Sequence, residues 1–381
     1  MEFGSSSLEN LDLISNPFTK CFQGKKIFIT GHTGFKGAWL SLWLYHLGAQ
    51  IVGYSLPPPS TPSLFELLHL QKFLHHIDGD VNDYSHLQSA IESHKPEMVF
   101  HLAAQPIVLE SYRDPLSTIR TNVMGTVNLL EILRKYPCAK FCILATSDKC
   151  YQKQNRKIIY EEHHALGGSD PYSASKGAVE ILIHSYYHSF FSPKNSHNST
   201  MGIASVRAGN VIGGGDWGSH RLVPDFFRFL HQGQRIHLRN PTFCRPWQHV
   251  IEALSGYLCL ATHLLMDPHQ YSGPWNFGPK PQDALPVREL IRLLLDVAQL
   301  PLSLIKEDTD SKIYEDCYLH LSSQKAETHL KWCPIYSPHE RVQKTWEWHE
   351  KYLSNPEMVF ETSLAQIKEF ENLAHFYTLK A

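Results

Sequence analysis

The sequence lacks every feature that would direct the chain into a membrane or cross-link it with disulfides. No stretch of 18 apolar residues occurs, no secretory leader is recognisable, and the eight cysteines never stand in a C-x-x-C spacing. Several of these cysteines lie within apolar runs, where a reduced thiol behaves as a small hydrophobic group. The absences predict a reduced protein in the cytoplasm.

Charge is also scarce. Charged residues are 19% of the chain and the formal net charge is −2, so binding to nucleic acid through bulk charge is not expected. Histidine is plentiful, with 24 residues, but His75-His76 and His163-His164 do not stand in a spacing typical of metal ligands. We therefore predict no metal, and we find no internal repeat or low-complexity tract.

A glycine pattern after residue 25 is the most informative motif. An apolar strand ends at Thr30 and is followed by Gly31, Gly34 and Gly37, after which an apolar helical pattern begins. Strand, glycine turn and helix N-terminus together hold a dinucleotide pyrophosphate, because glycines let the phosphates approach backbone N–H groups. The spacing is G-x-x-G-x-x-G rather than the more frequent G-x-G-x-x-G.

Short apolar runs alternate with amphipathic helical patterns through the first two thirds of the 381 residues. This alternation predicts an α/β fold with a doubly wound parallel sheet of the Rossmann type, and ligands at the carboxyl ends of its strands. The predicted strands are Ile27–Thr30, Gln50–Tyr54, Leu74–Ile77, Met98–Ala103, Phe141–Thr146 and Gly202–Arg207. We expect an N-terminal tail (1–24), a cofactor-binding domain that carries the catalytic residues (25–208), a smaller, mainly substrate-binding α/β lobe (209–340) and a helical C-terminal tail (341–381).

Tyr172 and Lys176 stand four residues apart, directly after Pro171, which suits a first helical turn. They are expected to lie one above the other on a single helix face. A lysine at that distance favours the phenolate, so we expect the pKa of Tyr172 to lie below its free value of about 10. A tyrosine so placed accepts a proton from a substrate hydroxyl. Ser147, at the end of the fifth predicted strand, is expected to bind the same substrate oxygen.

Four motifs together resemble the extended short-chain dehydrogenase/reductase family. They are Thr30-Gly-x-x-Gly-x-x-Gly37, His101-Leu-Ala-Ala104, Tyr172-x-x-x-Lys176 and Arg207-x-Gly-Asn-Val211. Within that family, the segments 146–151, 207–217 and 245–250 are most similar to the sugar-nucleotide 4,6-dehydratases, and among these to the branch that acts on CDP-glucose. The resemblance covers roughly residues 25–334.

The resemblance implies an NAD-dependent, redox-neutral hydro-lyase of deoxysugar biosynthesis, such as that of O-antigens. Tyr172 would deprotonate the hydroxyl on sugar carbon 4 while hydride passes to NAD. The new ketone acidifies carbon 5, water leaves across carbons 5 and 6, and the same hydride returns to carbon 6. The product would be CDP-4-keto-6-deoxyglucose.

Asp148 and Lys149 replace the Asp-Glu acid–base pair of sibling dehydratases. Asp148 is assigned as the acid that assists loss of water, and Lys149 as the base or proton relay. Asp148 must then hold a proton near neutral pH and Lys149 must be neutral. A simple ion pair between them would require the roles to be redrawn.

The remaining site residues are carried over by position. The catalytic set is Ser147, Asp148, Lys149, Tyr172 and Lys176. The cofactor set is Thr30, Gly31, Thr33, Gly34, Phe35, Lys36, Gly37, Asp80, Val81, Ala103, Ala104, Gln105, Asn122, Tyr172 and Lys176. The substrate set is Gln105, Asn210, Arg221, Arg239, Arg245 and Glu315, in which the guanidinium groups suit a diphosphate.

Several alternatives stay open. The second strand ends in Tyr54-Ser55-Leu56, without the acid that usually binds the NAD ribose, and Lys36 is a candidate for a 2′-phosphate, so NAD is favoured by resemblance. A sugar-nucleotide 4-epimerase or reductase would share Tyr172 and Lys176, but it needs no acid–base pair at 148–149. A non-catalytic NAD-binding sensor would not need the proton relay, and an unrelated α/β protein would share none of it. The spacing of residues does not specify the nucleotide base.

The predicted helices at 115–136 and 171–191 are apolar around much of their circumference. In the family that the chain resembles, two such helices from each subunit form a four-helix core. A homodimer is therefore expected, with a dimer of dimers as the alternative.

Overall fold

The computed structural model describes residues 17–154, 158–194, 201–238, 240–307 and 318–374. The strands of this part, in chain order, are β1 (Lys26–Thr30), β2 (Gln50–Ser55), β3 (His75–Asp78), β4 (Met98–His101), β5 (Phe141–Ala145), β6 (Ile159–Tyr160), β7 (Gly202–Ala208), β8 (Val211–Ile212), β9 (Ile236–Leu238), β10 (Cys244–Arg245), β11 (Gln248–His249), β12 (Gly273–Phe277), β13 (Leu285–Pro286), β14 (Ile305–Glu307) and β15 (His320–Leu321).

The α-helices of the described residues, again in chain order, are α1 (Pro17–Phe22), α2 (Phe35–His46), α3 (Leu64–Leu67), α4 (Tyr84–His94), α5 (Val108–Arg113), α6 (Pro115–Ile119), α7 (Gly125–Lys135), α8 (Pro171–Tyr186), α9 (Leu222–His231), α10 (Val250–Met266), α11 (Val287–Val297), α12 (Gln324–His329), α13 (Pro338–Ser354) and α14 (Val359–Leu373). A π-helical segment, Arg120–Met124, joins α6 to α7, and another, Tyr187–Phe191, continues α8. None of these helices has the combination of length and apolar character that crossing a bilayer requires.

A seven-stranded parallel sheet forms the centre of the molecule, in the order β12-β7-β5-β4-β1-β2-β3. The strand order reverses between β1 and β4, so a crevice opens there at the carboxyl ends of the strands. This arrangement confirms the predicted doubly wound fold. The six predicted strands are all present, and β12 is an additional strand that pairs with β7 at the sheet edge.

Helices cover both faces of the sheet. On one face, α2 and α10 pack against the strands, and α1 and α14 lie against these helices. Trp39 and Trp43 of α2 are fully buried, because this helix has protein on all sides. On the other face, α4, α7 and α8 bury their apolar stripes, with Leu87, Leu129 and Ile183 in the core.

The chain after β7 builds a second lobe and then returns to the sheet. In this lobe α9, α11 and β9 share an apolar core, to which Val342 of α13 contributes. The strand β12 and the helix α10 also come from this part of the chain, yet they belong to the central sheet and its cover. At the other end, residues 17–24 of the expected N-terminal tail include α1, whose Phe18 and Phe22 are buried in the core.

Candidate active site

A cavity of about 920 Å³ lies at the carboxyl ends of the central strands, between the sheet and the second lobe. Its walls come from the glycine turn after β1, the ends of β4 and β5, the start of α8, and the segments 208–229 and 240–247. This is the crevice at which ligands bind in open α/β sheets. Among the residues that the structure describes, no group of three or more His, Cys, Asp and Glu side chains has a geometry that would hold a metal ion.

The glycine turn is built to bring backbone close to a ligand. Gly31 has φ +75°, and a Cβ there would lie 2.6 Å from the backbone nitrogen of Ala103. A Cβ on Gly37 would lie 2.1 Å from the carbonyl oxygen of Gly31. At Gly34, by contrast, a Cβ would meet only that carbonyl oxygen, at 3.4 Å, so this position faces open space in the cavity wall.

Helix α2 begins directly after Gly34, and no side chain caps its N-terminus. The first backbone N–H groups of an α-helix have no partner within the helix, and they carry a partial positive charge. Uncapped N–H groups beside an open glycine position form a cradle for a pyrophosphate. The residues Thr33, Phe35 and Lys36 also line the cavity, as expected.

Thr30 does not line the cavity but fixes the strand ends behind it. Its hydroxyl lies 2.7 Å from Nδ1 of His101 and accepts the backbone N–H of Ala103 at 3.2 Å. The other ring nitrogen of His101 lies 3.0 Å from the hydroxyl of Thr126. Burial, with the nearby charge of Lys176, lowers the pKa of His101 to about 3, so this histidine is neutral at physiological pH.

Asp80 and Val81, both expected at the cofactor, line the cavity together with Thr121. One carboxylate oxygen of Asp80 accepts the backbone and side-chain N–H groups of Asn82, both at 2.9 Å. The end of β2 carries the hydroxyl of Ser55 rather than an acid. This hydroxyl lies 2.8 Å from the hydroxyl of Thr33 and is hydrogen-bonded to it.

Two residues expected at the cofactor are turned away from the cavity. The side chain of Gln105 donates to Thr118 at 2.8 Å and accepts the N–H of Ile107, so its amide is used within its own loop. Asn122 is buried; it accepts the N–H of Gln105 and donates to Ser175 of α8 at 2.9 Å. Neither side chain lines the cavity, although their neighbours Ala103 and Ala104 do. The Asn122 side chain therefore connects the end of β4 to α8, and the Gln105 side chain connects it to α6.

A short 3-10 turn, Asp148–Cys150, carries the expected acid at the end of β5. Ser147 caps this turn by accepting the N–H of Lys149 at 3.2 Å, and its hydroxyl donates to Oδ1 of Asp148 at 3.0 Å. Asp148 is only 2% exposed, and its Oδ2 is buried without a hydrogen-bond partner among the described residues. Lys149 is half-buried in the cavity wall, and no ion pair joins it to Asp148 in this part of the structure.

Tyr172 and Lys176 both reach the cavity from the first turns of α8, which Asp170 caps through the N–H of Ser173. The expected lowering of the Tyr172 pKa is not found. Burial raises the pKa of Tyr172 to about 12, and the negative charge of Asp148 adds to this effect, whereas the Ser147 hydroxyl and Arg221 oppose it.

The difference follows from where the Lys176 ammonium points. It donates to the carbonyl oxygen of Ala145 at 3.3 Å, and burial lowers its own pKa to about 8. The positive charge that lowers the pKa of the Tyr172 phenol is therefore that of Arg221, not that of Lys176.

Arg221 is held in the cavity wall by Asp216, a partner that sequence reasoning missed. The two carboxylate oxygens of Asp216 lie 3.1 Å and 3.0 Å from Nη1 of Arg221. Lys36 belongs to the same group of charges, since its pKa is lowered to about 8 by burial and by Arg221 and Lys176, while Asp148 and Asp216 oppose the change. This loop belongs to the segment 207–217, on which the family resemblance partly rests. Asp216 itself was not predicted as a site residue.

The second lobe contributes Asn210 and Arg245 to the cavity wall. Oδ1 of Asn210 is buried without a partner among the described residues, and it is therefore available to a ligand. The guanidinium of Arg245 lies 5.5 Å from the centre of the Phe243 ring and donates to the carbonyl of Cys244 at 3.0 Å. Arg239 and Glu315, also expected at the substrate, lie outside the described residues.

Comparisons with known proteins identify the family of the chain. The family model described as GDP-mannose 4,6 dehydratase matches residues 28–261. The CDP-glucose 4,6-dehydratase of Salmonella typhimurium is 43% identical over 338 residues, which cover 89% of this chain and 94% of that protein. A UDP-glucose 4-epimerase of Halalkalibacterium halodurans is 24% identical, covering 86% of this chain and 96% of that protein.

Solved structures share the fold at lower identity. A dTDP-glucose 4,6-dehydratase of Streptomyces venezuelae, solved with NAD bound, has a TM-score of 0.74 and 20% identity, and covers 88% of this chain and 99% of that one. A UDP-glucose 4-epimerase of Thermotoga maritima also has a TM-score of 0.74, at 23% identity, covering 86% of this chain and 99% of that one.

Proposed function

The chain belongs to the GDP-mannose 4,6 dehydratase family, within the extended short-chain dehydrogenases/reductases, and we propose that it converts CDP-glucose to CDP-4-keto-6-deoxyglucose. The observation that carries this proposal is the pair Asp148 and Lys149 in the cavity wall beside Tyr172, in a chain that is 43% identical to a CDP-glucose 4,6-dehydratase. An epimerase needs Tyr172 but has no step that requires an acid for a departing hydroxyl.

We propose NAD as the resident cofactor. The open position at Gly34 and the uncapped start of α2 fit its pyrophosphate, and Asp80 and Val81 line the cavity where adenine would lie. The charge of Lys36 acts together with Arg221, Lys176 and Asp148, at the catalytic end of the cavity. Lys36 is therefore not assigned to the 2′-phosphate of NADP. This placement supports NAD over NADP. When bound, NAD supplies the chemistry of accepting a hydride from carbon 4 and returning it at carbon 6.

Tyr172 takes the proton of the hydroxyl on carbon 4. Since burial favours the neutral phenol, Tyr172 must first lose its own proton to solvent, and the Ser147 hydroxyl and the Arg221 guanidinium are the protein groups that stabilise the resulting phenolate, which then accepts the substrate proton. The same burial strengthens the hydrogen bonds that orient the sugar, because water is excluded from the site.

Asp148 delivers a proton to the departing hydroxyl on carbon 6. Since Ser147 already donates to Oδ1, Oδ2, which has no partner among the described residues, is the oxygen left for the substrate hydroxyl. Lys149, half-buried beside it, removes the proton from carbon 5 or relays it. Arg221 and Arg245 bind the nucleotide diphosphate, since guanidinium groups match its oxygens, and Oδ1 of Asn210 accepts a hydrogen bond from a donor elsewhere on the substrate.

The test is incubation of the purified protein with CDP-glucose, followed by mass spectrometry of the nucleotide sugar and of the cofactor released by denaturation. We expect CDP-glucose to lose one water. We also expect to find NAD in the supernatant of the denatured protein. dTDP-glucose, UDP-glucose and GDP-mannose serve as matched controls, and conversion of one of them in place of CDP-glucose would reassign the base. A product of unchanged mass but altered stereochemistry would instead indicate an epimerase.

We also propose a homodimer formed through α6, α7 and α8. Apolar side chains stand exposed along this surface, namely Leu116 (57%), Ile119 (45%), Met124 (48%), Ile181 (57%) and Phe190 (41%). Two such helical faces pack as a four-helix core in a symmetric dimer. Light scattering should give twice the chain mass, and Ile181→Glu should give a monomer, whereas Leu302→Glu, at an exposed residue elsewhere, should stay dimeric. A monomeric wild type would contradict this proposal.

We further propose the cytoplasm as the location of the protein. Its support is the set of free cysteines among the described residues, several of them fully buried.

A further inference from the structure

A buried ion pair lies directly behind the catalytic residues. Oε2 of Glu180, on α8, is 2.6 Å from Nη2 of Arg207, on β7, and both side chains are 2% exposed. Neither residue lines the cavity, so neither is placed to touch a substrate. A charged pair taken so completely out of water is costly unless further hydrogen bonds compensate it.

The carboxylate of Glu180 joins three elements of the site. Oε1 accepts the hydroxyl of Thr146, the residue that precedes Ser147 at the end of β5, and Oε2 accepts the hydroxyl of Ser205 at 2.8 Å. With Arg207 as its third partner, the carboxylate ties α8 to the carboxyl ends of β5 and β7. The helix that carries Tyr172 is thereby fixed against the strand that leads into the Asp148 turn.

Arg207 extends the connection to the other end of the catalytic turn. Its Nη1 donates to the hydroxyl of Tyr151 at 2.7 Å and to the carbonyl of Glu162 at 3.2 Å. The Tyr151 hydroxyl in turn donates to Oδ1 of Asn276, on β12, at 2.7 Å. The Asp148–Cys150 turn is therefore held before its start, through Thr146, and after its end, through Tyr151.

Glu180 also acts by charge. It stands four residues after Lys176 on α8, and its negative charge raises the pKa of Lys176 against burial. Arg207 and the hydroxyl donors keep the pKa of Glu180 itself below its ordinary value, so the carboxylate stays ionised. The other titratable groups that face Lys176 are Cys150, His101 and Lys36.

We propose that Glu180 and Arg207 are positioning residues for the dehydratase reaction: together they hold the Asp148 turn against Tyr172, and Glu180 places a buried negative charge one helical turn from Lys176. The kinetic part of this inference rests on the proposed function, whereas the part that concerns the Lys176 charge does not.

The first test measures Lys176 without any turnover. Competitive acetylation of the native protein across a pH series, followed by peptide mass spectrometry, gives the pH at which Lys176 becomes reactive. Glu180→Gln should move this midpoint to lower pH by about one unit, because the neighbouring negative charge is lost. The matched control is Glu252→Gln, which breaks the similarly buried pair of Glu252 and Arg341, 2.8 Å apart, on the other side of the sheet. This control should leave the midpoint unchanged.

The second test is kinetic and separates charge from position. In Glu180→Gln, kcat for CDP-glucose should fall at least tenfold and the alkaline limb of its pH profile should move to lower pH. Thr146→Val keeps both charges, so kcat should fall several-fold with KM and the alkaline limb unchanged. If Glu180→Gln does not fold, the double variant Glu180→Gln/Arg207→Met leaves no unpaired charge and should show the same shift of the Lys176 midpoint.

Each outcome has a distinct meaning. A wild type that leaves CDP-glucose unchanged would remove the proposed function, and the acetylation experiment would still test the Lys176 charge. An unmoved Lys176 midpoint in the Glu180 variants would overturn the charge role. A shifted midpoint with wild-type kcat in both Glu180→Gln and Thr146→Val would overturn the positioning role.

Discussion

At the scale of single residues, the account depends on one carboxyl and one amine at the end of β5. Asp148 is buried, with one oxygen bonded by Ser147 and the other without a partner in the described part of the chain, which suits a group that hands a proton to a ligand. Lys149 stands in the same wall without an ion pair to Asp148 among the described residues. The proposed function therefore assigns the two side chains separate tasks.

The first prediction concerns these two side chains. The double variant Asp148→Asn/Lys149→Met should lower kcat for loss of water by about 10² to 10⁴-fold, which is the usual contribution of general acid–base groups. Bound NAD should be retained, because neither residue lies in the glycine turn. Turnover by NMR and released cofactor by mass spectrometry measure both effects, and unchanged turnover in the double variant would remove the assigned roles.

That the expected catalytic side chains line one cavity was accessible to sequence, but the direction of the Tyr172 pKa shift was not. Tyr-x-x-x-Lys spacing correctly predicted a shared helix face at the cavity. It did not predict that burial would raise the pKa of Tyr172 to about 12, since the balance between desolvation and nearby charge depends on the tertiary structure. The orientations of Gln105 and Asn122 were hidden for the same reason, because a position at a strand end does not fix where a side chain points.

At the scale of elements, the glycine turn offers a matched pair of substitutions. Gly34 has extended backbone angles (φ −79°, ψ 168°) and open space before it, so Gly34→Ala should fold like the wild type but lose at least tenfold in NAD affinity. Gly37→Ala should lose stability as well, because its new Cβ would lie 2.1 Å from a backbone oxygen.

Thermal melts and the NAD content of the purified variants measure this prediction. A Gly34→Ala protein that keeps wild-type NAD content would contradict the placement of the pyrophosphate. A Gly37→Ala protein with the wild-type melting temperature would contradict the packing of the turn.

The elements themselves were predictable where their pattern was local. Five of the six strands found by alternation are mostly buried, whereas β3 is largely exposed at the edge of the sheet. The seventh strand, β12, reads Gly273-Pro-Trp-Asn-Phe277 and lies at the sheet edge, where a proline is tolerated. Its pairing with β7 comes from tertiary structure, because nothing in so short and irregular a segment marks it as part of the central sheet.

At the scale of the whole molecule, buried neutral histidines set the response to acid. Burial lowers the pKa of His32, His101, His249 and His349 to about 3 each. In the unfolded chain their pKa is about 6.5. Below pH 6.5 the unfolded state therefore binds protons that the folded state does not, and stability is lost as the pH falls.

The prediction is a free energy of unfolding that falls by about 1 kcal/mol per histidine between pH 7.5 and 5.5. Urea unfolding at a series of pH values measures it. The variant His349→Phe, which keeps a ring stacked on Phe227, should reduce the slope by about one histidine, and the exposed His339→Gln should leave it unchanged. A free energy that is flat over this range would contradict the neutral buried state of these residues.

One cluster of charged side chains joins the two lobes at the cavity. Asp148, Lys36, Lys176, Arg221 and Asp216 meet around one cavity, although they come from both lobes. The chain after residue 208 thus supplies both the last strand of the sheet and part of the reactive surface. Such a site is complete only when the two parts of the chain are folded together.

The central claim is that one hydrogen leaves carbon 4 of the sugar and returns, within the same turnover, to carbon 6. The most direct measurement uses CDP-glucose carrying deuterium at carbon 4, with NMR and mass spectrometry of the product. The account predicts deuterium in the new methyl group, transferred within a single molecule, with one solvent proton taken up at carbon 5. Deuterium that is lost to water, or that stays at carbon 4, would contradict it.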